Sequence, residues 1–167
     1  MDTTYVCEDL AMLPTAWGQV IRRPTAPATF HNEQLSYWDA VAAAAFPEET
    51  GIGWFELRRR PLRGTEVERH LRTPEALLCF EGDAICVLGD PVEPSALTPE
   101  RVRAFRVRQG EGILFRPGTW HAVPFPLTER AVFWVVFRKR TAEEDLEVVD
   151  VARVAGFGFE VCAPTVA

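Results

Sequence analysis

From Gly53 onward the chain alternates between short apolar runs and breaks that carry Gly or Pro. Runs of this kind, rich in β-branched and aromatic residues, predict strands. The reading places them at 54–58, 76–81, 84–88, 103–107, 113–116, 121–125, 131–137 and 147–151, with a shorter one at 18–21. Gly82-Asp83, between two apolar runs, predicts a tight hairpin. Helical pattern is sparse. Residues 33–45 put Leu35, Trp38, Val41 and Ala42 at helix-like spacing and predict one amphipathic helix ended by Pro47 and Gly51; the competing reading is an irregular arm carrying Tyr37 and Trp38. Residues 13–18 predict a turn of helix, and Thr98-Pro99 the capped start of another.

Many short strands at near-regular spacing predict an all-β fold, an antiparallel barrel or sandwich with a few short helices. Such barrels hold small ligands in their mouths or interiors. No linker, repeat or low-complexity tract divides the 167 residues, so the expectation is one domain over 1–167, with an N-terminal arm over 1–50 and a barrel core over 51–155.

Composition adds limits rather than a function. The net charge of −6 argues against nucleic acid as a partner. No apolar run is long enough to span a bilayer, and the acidic N-terminus lacks the features of a signal peptide, so no membrane is expected and the location is read as cytoplasmic. Cys7, Cys79, Cys86 and Cys162 form no CxxC pair and read as free thiols in a reducing compartment.

Chemistry concentrates in two segments. Glu68, His70 and Glu75 fall within eight residues, and in extended chain Glu68 and His70 project to one face. The second segment, Gly112 to His121, supplies another imidazole after Pro117-Gly118. Two carboxylates and two imidazoles suit either a divalent metal or acid–base work on a small molecule. Taken singly, each has a plainer reading as a solvated charge, a turn cap or a packing histidine. Together their spacing fits the two-part signature of cupins, small jelly-roll β-barrels. Glu68-x-His70, Glu75 and Gly82 make the first part, with Glu68 where a histidine is usual. Gly112, Pro117-Gly118 and His121 make the second. The set Glu68, His70, Glu75, His121 would suit Ni, Mn, Fe or Zn, and no organic cofactor is expected. Arginines complete the picture, because a guanidinium grips a carboxylate through two parallel hydrogen bonds. Arg58 and Arg60 share one side of their strand, Arg103, Arg106 and Arg108 lie on another, and Arg116, five residues before His121, is the best placed.

The chain further resembles the ureidoglycolate lyase family. The resemblance rests on Glu68-Arg69-His70, Ala104-Phe105, Gly112, Trp120-His121 and the apolar 131–137 run. Upstream it rests on 17–21, Phe30-His31-Asn32, Tyr37-Trp38-Asp39 and Arg58 followed by Pro61. It implies a cupin-type fold, a homodimer, and a carbon–nitrogen lyase that cleaves ureidoglycolate, or a related small ureido or hydroxy acid, to glyoxylate and urea in allantoin and purine breakdown. It implies Glu68, His70 and His121 as catalytic residues and Arg58 as a contact for a small carboxylate substrate; Arg116, as a cation in place of a family histidine, and Trp120 are read as further substrate contacts. Four departures stand out: Pro74-Glu75 in place of Ser/Thr-Gln, Glu111 before Gly112, Phe115-Arg116 in place of Tyr-His, and Ala122 in place of a second histidine. The alternatives are a metal-dependent cupin isomerase or dioxygenase acting on another small carboxylate, and a non-enzymatic cupin that binds a small acid.

Overall fold

The structure, a computed structural model, describes residues 2–163. In chain order the first strands are β1 (Asp2–Asp9), β2 (Gly18–Ile21), β3 (Phe30–His31), β4 (Ser36–Tyr37), β5 (Thr50–Arg58), β6 (Arg63–Gly64), β7 (Glu66–Arg69) and β8 (Glu75–Glu81). They are followed by β9 (Ala84–Gly89), β10 (Val102–Val107), β11 (Gly112–Phe115), β12 (Trp120–His121), β13 (Phe125–Pro126), β14 (Arg130–Arg138), β15 (Glu147–Asp150) and β16 (Gly158–Cys162). Two single-turn α-helices, α1 (Thr141–Glu144) and α2 (Val151–Val154), flank β15.

These strands form two large sheets. One runs β2-β11-β8-β14-β5, the other β15-β7-β12-β9-β10-β1-β16-β6 with β13 also paired to β9. A buried cluster shared by both sheets fills the space between them. Leu77, Phe115, Phe133 and Val135 come from the first, and Cys86, Leu88, Phe105 and Val107 from the second. The result is a cupin-type all-β barrel with few, short helices. A second cluster, including Ile85, Val87, Trp120, Phe125, Phe159 and Val161, covers the other face of the larger sheet. Successive residues of a strand face opposite sides, so β9 sends Cys86 and Leu88 to one cluster and Ile85 and Val87 to the other. That double burial is why β9 reads as an unbroken apolar run rather than an alternating one.

Three expectations are corrected. First, 82–83 does not close a hairpin. β8 belongs to one sheet and β9 to the other, so the turn carries the chain between them. Gly82 has φ +76°, and a Cβ there would lie 2.5 Å from the carbonyl oxygen of Arg130. Only glycine fits that corner. Second, residues 33–45 form no helix. The Asn32 carboxamide oxygen accepts hydrogen bonds from the backbone N–H groups of Gln34 and Leu35, closing a turn between β3 and β4. Trp38 donates its indole N–H to the Ala26 carbonyl, and Gln19 donates to the Ala43 carbonyl. Local polar side chains thus satisfy the backbone better than an Ala-rich helix with little to pack against. Third, the helical turn near the N-terminus lies at Leu10–Met12, capped by the Asp9 carboxylate, rather than at 13–18. The barrel pairs antiparallel as expected except at β1, which runs parallel to both β10 and β16. The turn at Pro99–Arg101 follows Thr98.

The four cysteines are free thiols, with Cys79 and Cys86 buried. Burial pushes the Cys79 thiol up to about 12 and raises that of Cys86 as well. Among the described residues no helix is long and apolar enough to cross a membrane.

Candidate active site

The barrel brings Glu68, His70, Glu75 and His121 together, and it does so from both sheets. Glu68 ends its side chain from β7, one residue short of that strand's end, and His70 follows immediately after. His121 comes from β12, paired directly with Glu68. Glu75 opens β8 in the opposite sheet, paired with Phe115. Ligand atoms of Glu68, His70 and His121 all lie within 4.8 Å of one another. The carboxylate oxygen Oε2 of Glu75 lies 3.0 Å from Nε2 of His70 and 3.6 Å from Nε2 of His121. Oε1 of Glu68 is 3.6 Å from the same His121 nitrogen.

Each imidazole is fixed from behind. Nδ1 of His70 lies 2.7 Å from the Asp145 carbonyl oxygen, and Nδ1 of His121 lies 3.0 Å from that of Thr119. A carbonyl only accepts, so both Nδ1 atoms carry the proton and both Nε2 atoms turn a lone pair, when neutral, toward the carboxylates. The Asp145 carboxylate adds a second hold by accepting from the backbone N–H groups of Leu71 and Arg72 at 3.0 and 2.9 Å. Phe115 stacks flat on His121, with ring centroids 4.8 Å apart, and Phe137 meets His70 edge-on. Arg69, between Glu68 and His70, faces the other way. It pairs with Glu147 at 2.7 Å and lies over the Trp120 ring, locking β7 to β15 and to the second core.

Electrostatics follow from this crowding. Burial alone would lower the pKa of His70, but the adjoining Glu75 carboxylate, helped by the Asp145 carbonyl and by Glu68, carries it above the ordinary imidazole value. Burial would likewise raise Glu75, but His70 and His121 outweigh it and hold the carboxyl below the usual range. Oε2 of Glu75 and Nε2 of His121 are nevertheless buried without an aligned hydrogen-bond partner. Buried polar atoms are normally satisfied, so two orphans facing each other across a His/Glu cluster make a cradle for a cation. The donor set is oxygen-rich with two imidazoles, which fits a divalent ion of the Mn, Fe, Ni or Zn type.

The cluster forms one end of a cavity of about 260 Å³. Gly53 and Phe55 of β5, Val135 and Phe137 of β14, and Ala142 and Leu146 around α1 line the rest, with Trp54 at the edge. No Arg or Lys lines it. Arg58 is exposed at the end of β5, on the face that alternates with Phe55 and Leu57. Arg116 is exposed too, and its Nε donates to the Thr15 carbonyl at 2.8 Å. Trp120 is fully buried in the second core, where its indole N–H donates to the Val92 carbonyl. These three are therefore apart from the cavity that holds Glu68, His70 and Glu75. Strand alternation explains Trp120: as the neighbour of His121 it must point the opposite way, and Ala122 packs with it in that same second core. Of the four departures noted in the sequence, two reach the cluster: Glu75 joins it and Phe115 stacks on His121. Sequence reasoning missed Asp145 and the Thr119 carbonyl. Asp145 lies 75 residues from the ring it steadies, and no spacing rule links them.

Fold and site together define a cupin-type barrel with a His/Glu cluster beside an open cavity. The family model described as Ureidoglycolate lyase matches residues 15–155. The chain belongs to that family. No curated protein matches the sequence. Among solved structures, the oxalate decarboxylase of Bacillus subtilis is similar at 16% identity and a TM-score of 0.42, covering 60% of this chain and 23% of its own. RmlC from Streptococcus suis, in complex with dTDP-D-xylose, is similar at 12% identity and a TM-score of 0.42, covering 53% of this chain and 43% of its own. The chain thus spans less than half the length of either.

Proposed function

We propose that the protein is a metal-assisted carbon–nitrogen lyase that cleaves ureidoglycolate, or a closely related small 2-hydroxy acid, to glyoxylate and an amide product such as urea. The observation that carries this reading is the convergence of Glu68, His70, Glu75 and His121, with two buried unpartnered polar atoms, at the end of a cavity in a chain of this family. Glu68, His70 and His121, backed by Glu75, would hold a divalent ion. Such an ion, when bound, offsets the negative charge of the substrate carboxylate and of the oxygen that develops as the bond breaks. A cavity whose polar end is two carboxylates, with no arginine or lysine on its walls, otherwise meets an anion with like charge.

The chain's own groups then supply proton transfer. Glu68 is the most open of the four, and an ionised carboxylate has lone pairs on both oxygens, so it can face the ion and still take a proton. It removes the proton of the substrate hydroxyl. That oxygen's electrons form the carbonyl of glyoxylate, the carbon–nitrogen bond breaks, and the departing nitrogen takes a proton back. His70 and His121 stay oriented throughout because the Asp145 and Thr119 carbonyls hold their Nδ1 protons. Arg58 and Arg116 remain candidates for drawing the acid toward the protein, and Trp120 for supporting His121 from behind. The homodimer implied by the family is part of this reading and is checked by sedimentation velocity, where a monomer at micromolar concentration would count against it.

The test is release of glyoxylate and urea from racemic ureidoglycolate, with Mn(II) added and with a chelator. Product that disappears on chelation supports the reading. Product that persists in metal-free protein would remove the ion from it, and no product with Mn(II) added would remove ureidoglycolate as the substrate.

A further inference from the structure

The cavity lining divides by chemistry. Glu68, His70 and Glu75 are its ionisable members and, Trp54 apart, the remaining wall is Gly53, Phe55, Val135, Phe137, Ala142 and Leu146. The division begins at once, since Phe137 already lies against the His70 ring. None of these six wall residues has a side chain that can donate or accept a hydrogen bond. Trp54 is the one nearby donor, and its ring packs against Trp134 and Phe80 on the opposite face of the sheet. A terminal urea amide, with two N–H donors and a carbonyl, would lose its hydrogen bonds to water against this wall and gain none. An apolar group would instead be drawn in, because burying its surface is favourable.

Two features show that the wall is built to receive something rather than to close on itself. Gly53 leaves its position on the inner face of β5 empty, although a Cβ there would meet nothing closer than 3.7 Å. Leu146, at the rim, is 42% exposed, a large apolar side chain left open beside a polar cluster. The volume, about 260 Å³, sits near the lower end of the usual ~300–1,000 Å³ range for small-molecule pockets and limits the ligand to a small one.

We infer that the substrate is an N-acyl-2-hydroxyglycine with an apolar acyl group, its carboxylate and hydroxyl at the Glu/His end and its acyl group along the Phe55–Val135–Leu146 wall. This rests on the lyase reading and narrows it. The bonds changed are the same. The hydroxyl proton passes to Glu68, the oxygen forms the glyoxylate carbonyl, the carbon–nitrogen bond breaks, and the nitrogen leaves with its electron pair and a proton as an apolar primary amide. No oxidant or second reactant is needed. The enzyme's substrate must then come from a reaction that hydroxylates the α-carbon of an acylated glycine, or adds an amide to glyoxylate.

The experiment separates the wall from the chemistry. Hippurate (N-benzoylglycine) and hydantoate (N-carbamoylglycine) lack the hydroxyl and cannot react, and they differ only in the apolar or urea end. Calorimetric titration of each into Mn(II)-loaded protein is expected to show hippurate binding about tenfold tighter or more, the scale of one well-matched apolar contact. Leu146→Gln, which puts an amide on the rim, is expected to narrow that ratio. Hydantoate binding as tightly as hippurate, or more tightly, overturns the inference. Glyoxylate release from α-hydroxyhippurate (N-benzoyl-2-hydroxyglycine) and from ureidoglycolate is then compared in the same preparation. Faster release from α-hydroxyhippurate supports the inference, and faster release from ureidoglycolate overturns it while the lyase survives. If neither substrate gives glyoxylate while hippurate keeps its advantage, the lyase reading and the substrate inference both fail, and only the apolar preference of the wall stands.

Discussion

Asp145 ties the loop after His70 to the ring itself, and its removal tests how far the site depends on that tie. Its carboxylate accepts from Leu71 and Arg72, and its carbonyl accepts from His70 Nδ1. Asp145→Ala deletes the first two bonds and leaves the third. A hydrogen bond to a charged acceptor contributes ~1.5–3 kcal/mol, and Leu71 and Arg72 are exposed enough for water to replace part of each. The low end of the range therefore applies, and the loss is about 2–3 kcal/mol for the pair. For a chain of this size that lowers Tm by roughly 5–10 °C. Asp145→Asn keeps one acceptor and should cost about half as much. Once the 70–72 segment is free, the His70 ring keeps its carbonyl contact but loses the fixed backbone that carries it, and Mn(II) affinity should fall by about 10- to 100-fold, as for other residues that orient a metal ligand. Urea unfolding with an unchanged slope gives the first quantity, and titration calorimetry gives the second. A stability loss under about 0.5 kcal/mol, together with unaltered Mn(II) affinity, would refute the reasoning.

Other expectations concern the His/Glu cluster and the fold. In metal-free protein the raised His70 contributes stability that is complete below the ordinary imidazole pKa of ~6.5 and disappears as pH rises through the folded value. The depressed Glu75 contributes stability that is present above ~4.3 and disappears as pH falls through its folded value. Denaturation across pH should therefore show the pair's contribution greatest between those limits, and a profile that Glu75→Gln leaves unchanged would count against the pairing. By NMR, Glu75→Gln should also bring the His70 titration down toward its ordinary position. Gly82→Ala forces a Cβ against the Arg130 carbonyl at a left-handed φ and should cost ~2–3 kcal/mol or more in urea unfolding, whereas Gly110→Ala, where nothing lies within 4 Å, should cost less.

Much of this was legible in the sequence because strand period and ligand spacing are local. Residues 54–58, 76–81 and 131–137 carry enough β-branched and aromatic side chains to declare themselves, and Glu68, His70, Glu75 and His121 stand at offsets that a barrel can gather. The errors came where the deciding contact was distant or small. Asn32 capping its own turn outweighed the helical spacing of Leu35, Trp38 and Val41. Gly82 is as good a hairpin signal as a corner signal until the sheet membership of β8 and β9 is known. β1 and β16 were not anticipated, although Phe159 and Val161 alternate, because β16 is short and β1 shows only partial burial. Asp145 had no local cue at all.

Glu75 enters the cluster from one sheet, and Glu68, His70 and His121 enter from the other. The cluster is therefore a seam in the barrel as much as a reaction centre. An ion seated there would act as a rivet between two halves that are otherwise joined by their apolar filling and by polar contacts such as His70 with Glu75 and Trp17 with Asp90. Opening the barrel by sliding or parting the sheets would dismantle the site before it unfolded either sheet. Ligand concentration then governs mechanical integrity as well as turnover: at a hundredfold excess over Kd, an ion bound only by the closed form would stabilise it by about 2.7 kcal/mol. Hydrogen exchange in β8 and β12 should slow when metal is added, and these two strands should slow together.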